Sequence, residues 1–197
     1  MAMATGVSIC SNALLMLGSQ TINDFADQQN LDRARLCANL YPSQRDSMLR
    51  AHPWNCCIKR ELLAPDADAP AFEWAYSFQL PADCLRVLEV GYGGYQINYL
   101  VEGRSILTND PAVELRYVFR NDESAWDAHL VDLMTISMAA VLAYPVTQST
   151  SERDSREGKL MQALRQAKAV DGQEDPPQTL GNEHLLAARF GGGFGAY

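Results

Sequence analysis

Five cysteines, three histidines and 24 acidic residues are the groups in this 197-residue chain with the chemistry for nucleophilic, metal or acid–base work. Cys10, Cys37, Cys56, Cys57 and Cys84 contain no CxxC pair, and adjacent Cys56 and Cys57 point apart in regular structure, a poor clamp for zinc. They read as reduced, mostly buried thiols in a cytosolic setting. His52, His129 and His184 are far apart, and His52, placed before Pro53, reads as a cap on a helix end. Asp122–Glu123 and Glu152 with Asp154 read as solvated helix starts. Glycoside hydrolysis needs two carboxyl groups facing across a cleft, one with a raised pKa, and nothing in the spacing points to such a pair. The glycines at 91, 93 and 94 and from Gly191 to Gly195 lack the spacing of a phosphate cradle, and read as a hairpin turn and a tail. GxSxG, HExxH, P-loop, EF-hand and zinc-finger patterns are all absent. The expectation is a protein without catalytic, cofactor or metal residues.

Charge is more informative. The chain carries a net −8, yet residues 30–60 hold Arg33, Arg35, Arg45, Arg50, Lys59 and Arg60 against only Asp32 and Asp46. That is +4 locally and −12 for the remainder. A positive segment on an acidic molecule suits contact between unlike faces of identical copies, which closes into a ring when the rotation allows. Arg33, Arg35, Arg45 and Arg50 are therefore candidate subunit-interface residues; intramolecular pairing is the plainer alternative. Thirteen arginines against three lysines fit bidentate ion pairing. The overall acidity disfavours tight wrapping of nucleic acid, which needs excess positive charge.

These residues must be held by elements that the pattern outlines. Length suggests one domain that buries about 70% of its unfolded surface, and 47% hydrophobic residues exclude a wholly disordered chain. No continuous apolar run approaches the roughly 18 residues of a membrane helix, and the first residues lack a secretory pattern. A helix is expected over 7–17, stopped by Gly18, then a polar loop anchored by Ile22 and Phe25. A second helix is expected over 31–51, kinked or broken at Pro42 and closed at His52-Pro53, with one or two further helical turns over 54–63. Short β segments follow at 76–80, 85–90, 95–101, 105–108 and 113–119, spaced for an antiparallel meander. Helix returns after Ser124, where Ser124-x-x-Asp127 is a candidate cap. An apolar helix over 130–146 ends at Pro145, and a last helix covers about 151–170 with Leu160, Leu164 and Ala167 inward. Trp54, Trp74, Tyr76 and Trp126 read as packing residues. The fold class is α+β: a helical bundle (1–71 and 121–170), an inserted antiparallel β meander (72–120) and an extended C-terminal docking tail (171–197). In that tail, Leu185, Leu186, Phe190, Phe194 and Tyr197 have too few neighbours to bury them locally, and suit a strap that orders on a partner.

The run YPSQRDSMLRAHPWNCCIKRELLA (Tyr41 to Ala64) resembles the signature of tail tubular protein A, the head-to-tail adaptor family of short-tailed phages, with its Tyr-Pro…Arg-Asp…Leu…His-Pro-Trp-Asn…Lys-Arg pattern. ALLMLGSQTIND (Ala13 to Asp24), WAYSFQLPADCLRVLEV (Trp74 to Val90) and the helix from Trp126 through LAYPVTQS (Leu142 to Ser149) are similar to further parts of that family. The likeness covers about residues 7–170 and does not extend to the glycine-aromatic tail. It implies a non-enzymatic virion tail protein, made in the host cytoplasm and assembled as a dodecamer. Such a ring binds the portal protein on one side and a nozzle protein like tail tubular protein B on the other. It passes double-stranded DNA through its bore without specific binding, and needs no cofactor and no membrane. The competing function class is a tail-associated hydrolase acting on cell-envelope polysaccharide.

Overall fold

A computed structural model of the chain describes residues 3–174. Helix α1 (Gly6–Met16) opens with a reciprocal cap: Ser8 N–H donates to Thr5 Oγ1 at 3.1 Å and Thr5 N–H to Ser8 Oγ at 2.9 Å. It closes at Gly18, whose φ of +69° lets Gly18 N–H reach Leu15 O and Ser19 N–H reach Leu14 O. The loop that follows turns inward at Ile22 and Phe25, which join the helical core as expected.

Helix α2 (Leu31–Ala51) runs through Pro42 without the break that was the second of the two expected outcomes there. Pro42 is exposed, so its ring meets no packed neighbour and only one helix hydrogen bond is forfeited. Ala34, Cys37, Tyr41, Met48 and Leu49 form the buried stripe. After His52-Pro53 comes a single 3₁₀ turn, Asn55–Cys57, and then strand β1 (Ile58–Leu63), where helix was expected. Apolar residues at 58, 62 and 63 fit a helical face, but the segment is captured by pairing with a distant strand. The helical region therefore ends near residue 57, not 71. The 3₁₀ turn also brings Cys56 and Cys57 Sγ to 3.7 Å, so they do not point apart. All five thiols are free, and all but Cys56 are buried.

The remaining strands are β2 (Tyr76–Gln79), β3 (Cys84–Tyr92), β4 (Tyr95–Gln96), β5 (Tyr99–Glu102), β6 (Ser105–Thr108) and β7 (Val113–Phe119). Every pairing is antiparallel, but the strands divide into two sheets where one meander was expected: β1-β7-β3-β4 and β2-β6-β5. Gly93 and Gly94, at φ +59° and +82°, form the two-residue turn between β3 and β4, with the positive φ at both positions that a type I′ hairpin needs. The sheets face each other over Leu63, Phe78, Val90, Ile106, Val113, Leu115 and Tyr117, a small sandwich. Val118, on the opposite side of β7, enters the helical core instead.

A 3₁₀ turn at Glu123–Ala125 precedes α3 (Ala128–Thr147), so Asp122 caps the turn and Asp127 begins the helix; the Ser124-centred cap does not form. Helix α3 is the central core element and passes Pro145 by two residues, ending at Gln148 in the left-handed region. An 18-residue stretch within it reaches a mean hydropathy of 1.6, so it does meet the length and apolarity of a membrane-crossing helix, contrary to the count of continuous apolar residues. Asp132, Thr135 and Ser137 interrupt that run without lowering its average much, and over half of the helix is buried against α1, α2 and α4. Helix α4 (Thr150–Glu174) continues past the expected end at 170.

Trp54 is 1% exposed and its indole N–H donates to Met48 O at 3.1 Å, which fixes the chain's exit from α2. Trp54→Ala removes both this bond and the packing, and is expected to lower unfolding free energy by about 3–5 kcal/mol in urea titrations. A loss well below that range shows that the indole is not a core element.

Candidate functional site

The four candidate interface arginines differ in what they touch within the chain. Arg33 Nε donates to Ser19 Oγ at 2.7 Å and its Nη1 to Asn30 Oδ1 at 3.2 Å, pinning the α1–α2 loop to α2. Arg45 lies between Asp46 (3.1 Å) and Glu123 (3.5 Å). Arg50 Nη1 donates to Leu85 O on β3. Arg35 is exposed and makes no ion pair or side-chain hydrogen bond among the described residues. Three of the four are thus intramolecular ties, and the fifth and sixth cations of the segment, Lys59 and Arg60, lie on β1. Leu185, Leu186, Phe190, Phe194 and Tyr197 lie outside the described residues.

The organised polar groups sit at the joints of the fold. At the first, α2 meets the β7–α3 connection: Arg120 binds Asp46 through Nε (3.0 and 3.2 Å) and Nη2 (2.6 Å), and Tyr41 O–H donates to Glu123 Oε1 at 2.9 Å. Burial pushes the Asp46 carboxyl up, but the hydrogen bonds and charges of Arg120 and Arg45 outweigh it and hold the pKa below the ordinary value. Burial and the Glu123 carboxylate push the Tyr41 hydroxyl up, so it stays protonated as a donor. Deeper in, Gln44 Nε2 donates to the buried Ser137 Oγ of α3 at 2.7 Å.

At the second joint, Asp171 near the end of α4 is buried and receives the turn after α2. Its Oδ2 meets His52 Nε2 at 3.0 Å, its Oδ1 accepts Asn55 N–H at 3.0 Å, and its own carbonyl accepts Asn55 Nδ2 at 3.0 Å. Because a carboxylate only accepts, the histidine nitrogen facing it carries hydrogen. His52 also stacks edge-on against Trp54, with ring centroids 4.7 Å apart. It joins α2 to α4 here and does not cap helix carbonyls. Asp171 had a signal in sequence: it extends the 160, 164, 167 stripe by one further helical step, an acid on the inward face.

The third joint is on the β sandwich. Tyr117 O–H lies 2.9 Å from Glu61 Oε2 and 3.2 Å from Asp83 Oδ1, with Lys59 Nζ 3.3 Å from Asp83. Burial and both carboxylates push this hydroxyl up as well. A general acid for glycoside hydrolysis needs a raised carboxyl; Asp27, Asp46 and Asp122 are shifted down instead. Backbone amides of Asn23 and Gln29 act on Asp27, and Ser124 acts on Asp122. Among the described residues no three His, Cys, Asp or Glu side chains gather as a metal set.

The sequence matches no family model and no curated protein.

Since the folded carboxyl of Asp46 titrates below its unfolded value, its stabilisation is complete above the ordinary aspartate pKa of 3.8 and is lost as pH falls through the folded value. Asp46→Asn should therefore lower Tm at pH 6, and the gap to the native protein should close as pH falls toward 3. Thermal melts across that range check this. A gap unchanged by pH would mean that the Arg45–Asp46–Arg120 charges contribute nothing.

Proposed function

We propose that this chain is a subunit of a ring-forming head-to-tail adaptor, a structural virion protein that joins the portal to the tail nozzle and gives double-stranded DNA a channel for ejection. The observation that carries the reading is the run from Tyr41 to Ala64. The residues by which it resembles tail tubular protein A are the ones that make the joints: Tyr41 with Glu123, Asp46 with Arg120, His52 and Asn55 with Asp171, and Trp54 with Met48. Apart from Arg60, the polar and aromatic members of the motif serve tertiary contacts, a pattern of architecture that shared composition alone does not generate.

On this reading the helices form the ring wall and the β sandwich is the side for nozzle contacts. The tail beyond α4, with Leu185, Leu186, Phe190, Phe194 and Tyr197, straps the ring to the portal. The net charge of −8 serves the bore: a negative lumen repels phosphate, so DNA passes without sticking. The chain acts without catalysis or a cofactor.

Negative-stain imaging of the purified protein, alone and mixed with the portal of the same phage, tests this. Rings, alone or seated on the portal, are expected; separate particles in both conditions overturn the adaptor reading. Deleting residues 176–197 should leave a folded protein, read by its Tm, while abolishing portal capture. Retained capture would remove the tail from that role.

A further inference from the structure

Four of the five thiols are closed to solvent, and Cys56 alone is partly exposed. It sits in the 3₁₀ turn Asn55–Cys57 that leads from α2 into β1. That turn is held at several points. Cys57 N–H donates to Trp54 O at 2.8 Å, Asn55 is bound to Asp171 through its backbone and its side chain, and Asn121 Nδ2 donates to Cys56 O. Neighbouring side chains of an extended strand point to opposite faces. In this turn Cys56 and Cys57 share a side, and their sulfur atoms stand 3.7 Å apart, in van der Waals contact.

The two thiols are unlike. Cys57 is wholly inside the helical core, and Cys56 packs against it from the rim. As an anion, Cys56 accepts the Cys57 S–H, and this bond, joined by the Asp127 backbone N–H, brings its pKa below that of an ordinary thiol although burial opposes the shift. The same bond and burial push the Cys57 thiol up. An outer thiol that ionises beside an inner thiol that keeps its proton is the division of labour that thiol–disulfide exchange uses: the first attacks and the second resolves. Cys10 and Cys37 have no exposed surface, and burial pushes the Cys84 thiol up.

We propose that Cys56 and Cys57 form a reactive dithiol site that takes small aliphatic disulfides and closes to a vicinal disulfide. The Cys56 thiolate attacks one sulfur of the small disulfide, whose S–S bond breaks, and one thiolate leaves with the bonding electrons and is protonated by water. Cys57 then gives its proton to solvent, its sulfur attacks Cys56 Sγ, and the second thiolate is expelled and protonated. The dithiol loses two electrons and two protons, and one small disulfide becomes two thiols. Contact between the sulfurs favours closure over a lasting mixed adduct, because the resolving thiol needs no diffusional encounter. The ring is readily reopened by thiols: adjacent Cα atoms lie about 3.8 Å apart across a trans peptide, below the roughly 4.4–6.8 Å of a relaxed disulfide. Drawing the sulfurs together also twists the turn, whose first residue is Asn55, so closure acts on the Asn55–Asp171 tie between α2 and α4.

Oxidised glutathione added to the native full chain, followed by acid quenching, alkylation after denaturation and peptide mass mapping, reads the site directly. The peptide holding Cys56 and Cys57 should lose two hydrogens and carry no glutathione, while Cys10, Cys37 and Cys84 are alkylated as free thiols. Cys57→Ala should stop at a glutathione adduct on Cys56, and Cys56→Ala should leave Cys57 unreacted, with the Tm of each reduced variant as the control for folding. The native chain decides the matter even where a variant is too unstable to purify. A native chain left unmodified, one that keeps glutathione on Cys56, or one in which Cys10, Cys37 or Cys84 reacts as readily overturns the site. Closure should lower Tm, and dithiothreitol should restore it. An unchanged Tm in the closed form overturns the coupling to the α2–α4 joint.

Discussion

Strand β7 is buried on both sides over part of its length, and the rest of the molecule is arranged around that fact. Val113, Leu115 and Tyr117 point into the sandwich core while Val118 points into the helical core. Two cores therefore share one strand, and neither is complete without it. Central position in the sheet follows: β7 is flanked by β1 and β3, so its backbone groups are paired on both edges where no water can reach them. The segments on either side of the strand pairing, α2 before β1 and α3 after β7, are brought to the same end of the sheet, and the polar joints at Asp46–Arg120 and Tyr41–Glu123 lie where they meet. Such pairs are worth about 0.2–1 kcal/mol each when exposed, far less than the apolar burial they accompany. Their effect is to select one docking angle of the helices on the sheet.

The same constraint explains why the sheet has an open face. Glu114 and Arg116 occupy the same side of β7 as Val118, but the helices reach only as far as Val118. A strand whose one side is apolar at one end and charged at the other cannot be wholly covered by its own chain. In the acidic 65–75 loop, Glu73 lies in the left-handed region at φ +68°. Local rules are broken at both places, by the like-charge cross-strand pair of Arg60 and Arg116 and by a non-glycine residue at positive φ. Local violations of this kind concentrate where a surface serves something other than stability.

How much of this was legible in the sequence depended on whether local signals had to compete with distant partners. The limits of β6 and β7, the Gly18 stop, the stripe of α2 and the burial of α3 were all readable, because periodicity and turn chemistry agree with the final packing there. Residues 58–63 were not. Their apolar positions serve a helix as well as a strand, and the decision is made by β7, some 50 residues away, as P-x-x-type local punctuation is missing between Asn55 and Leu63. The candidate interface arginines were read from charge alone. Charge counting along residues 30–60 located six cations but not their partners, and Ser19, Asn30, Glu123 and Leu85 O are brought to Arg33, Arg45 and Arg50 only by folding. Asp171 was legible in principle, since an acid on an inward helical step must have a partner; His52 and Asn55 are that partner.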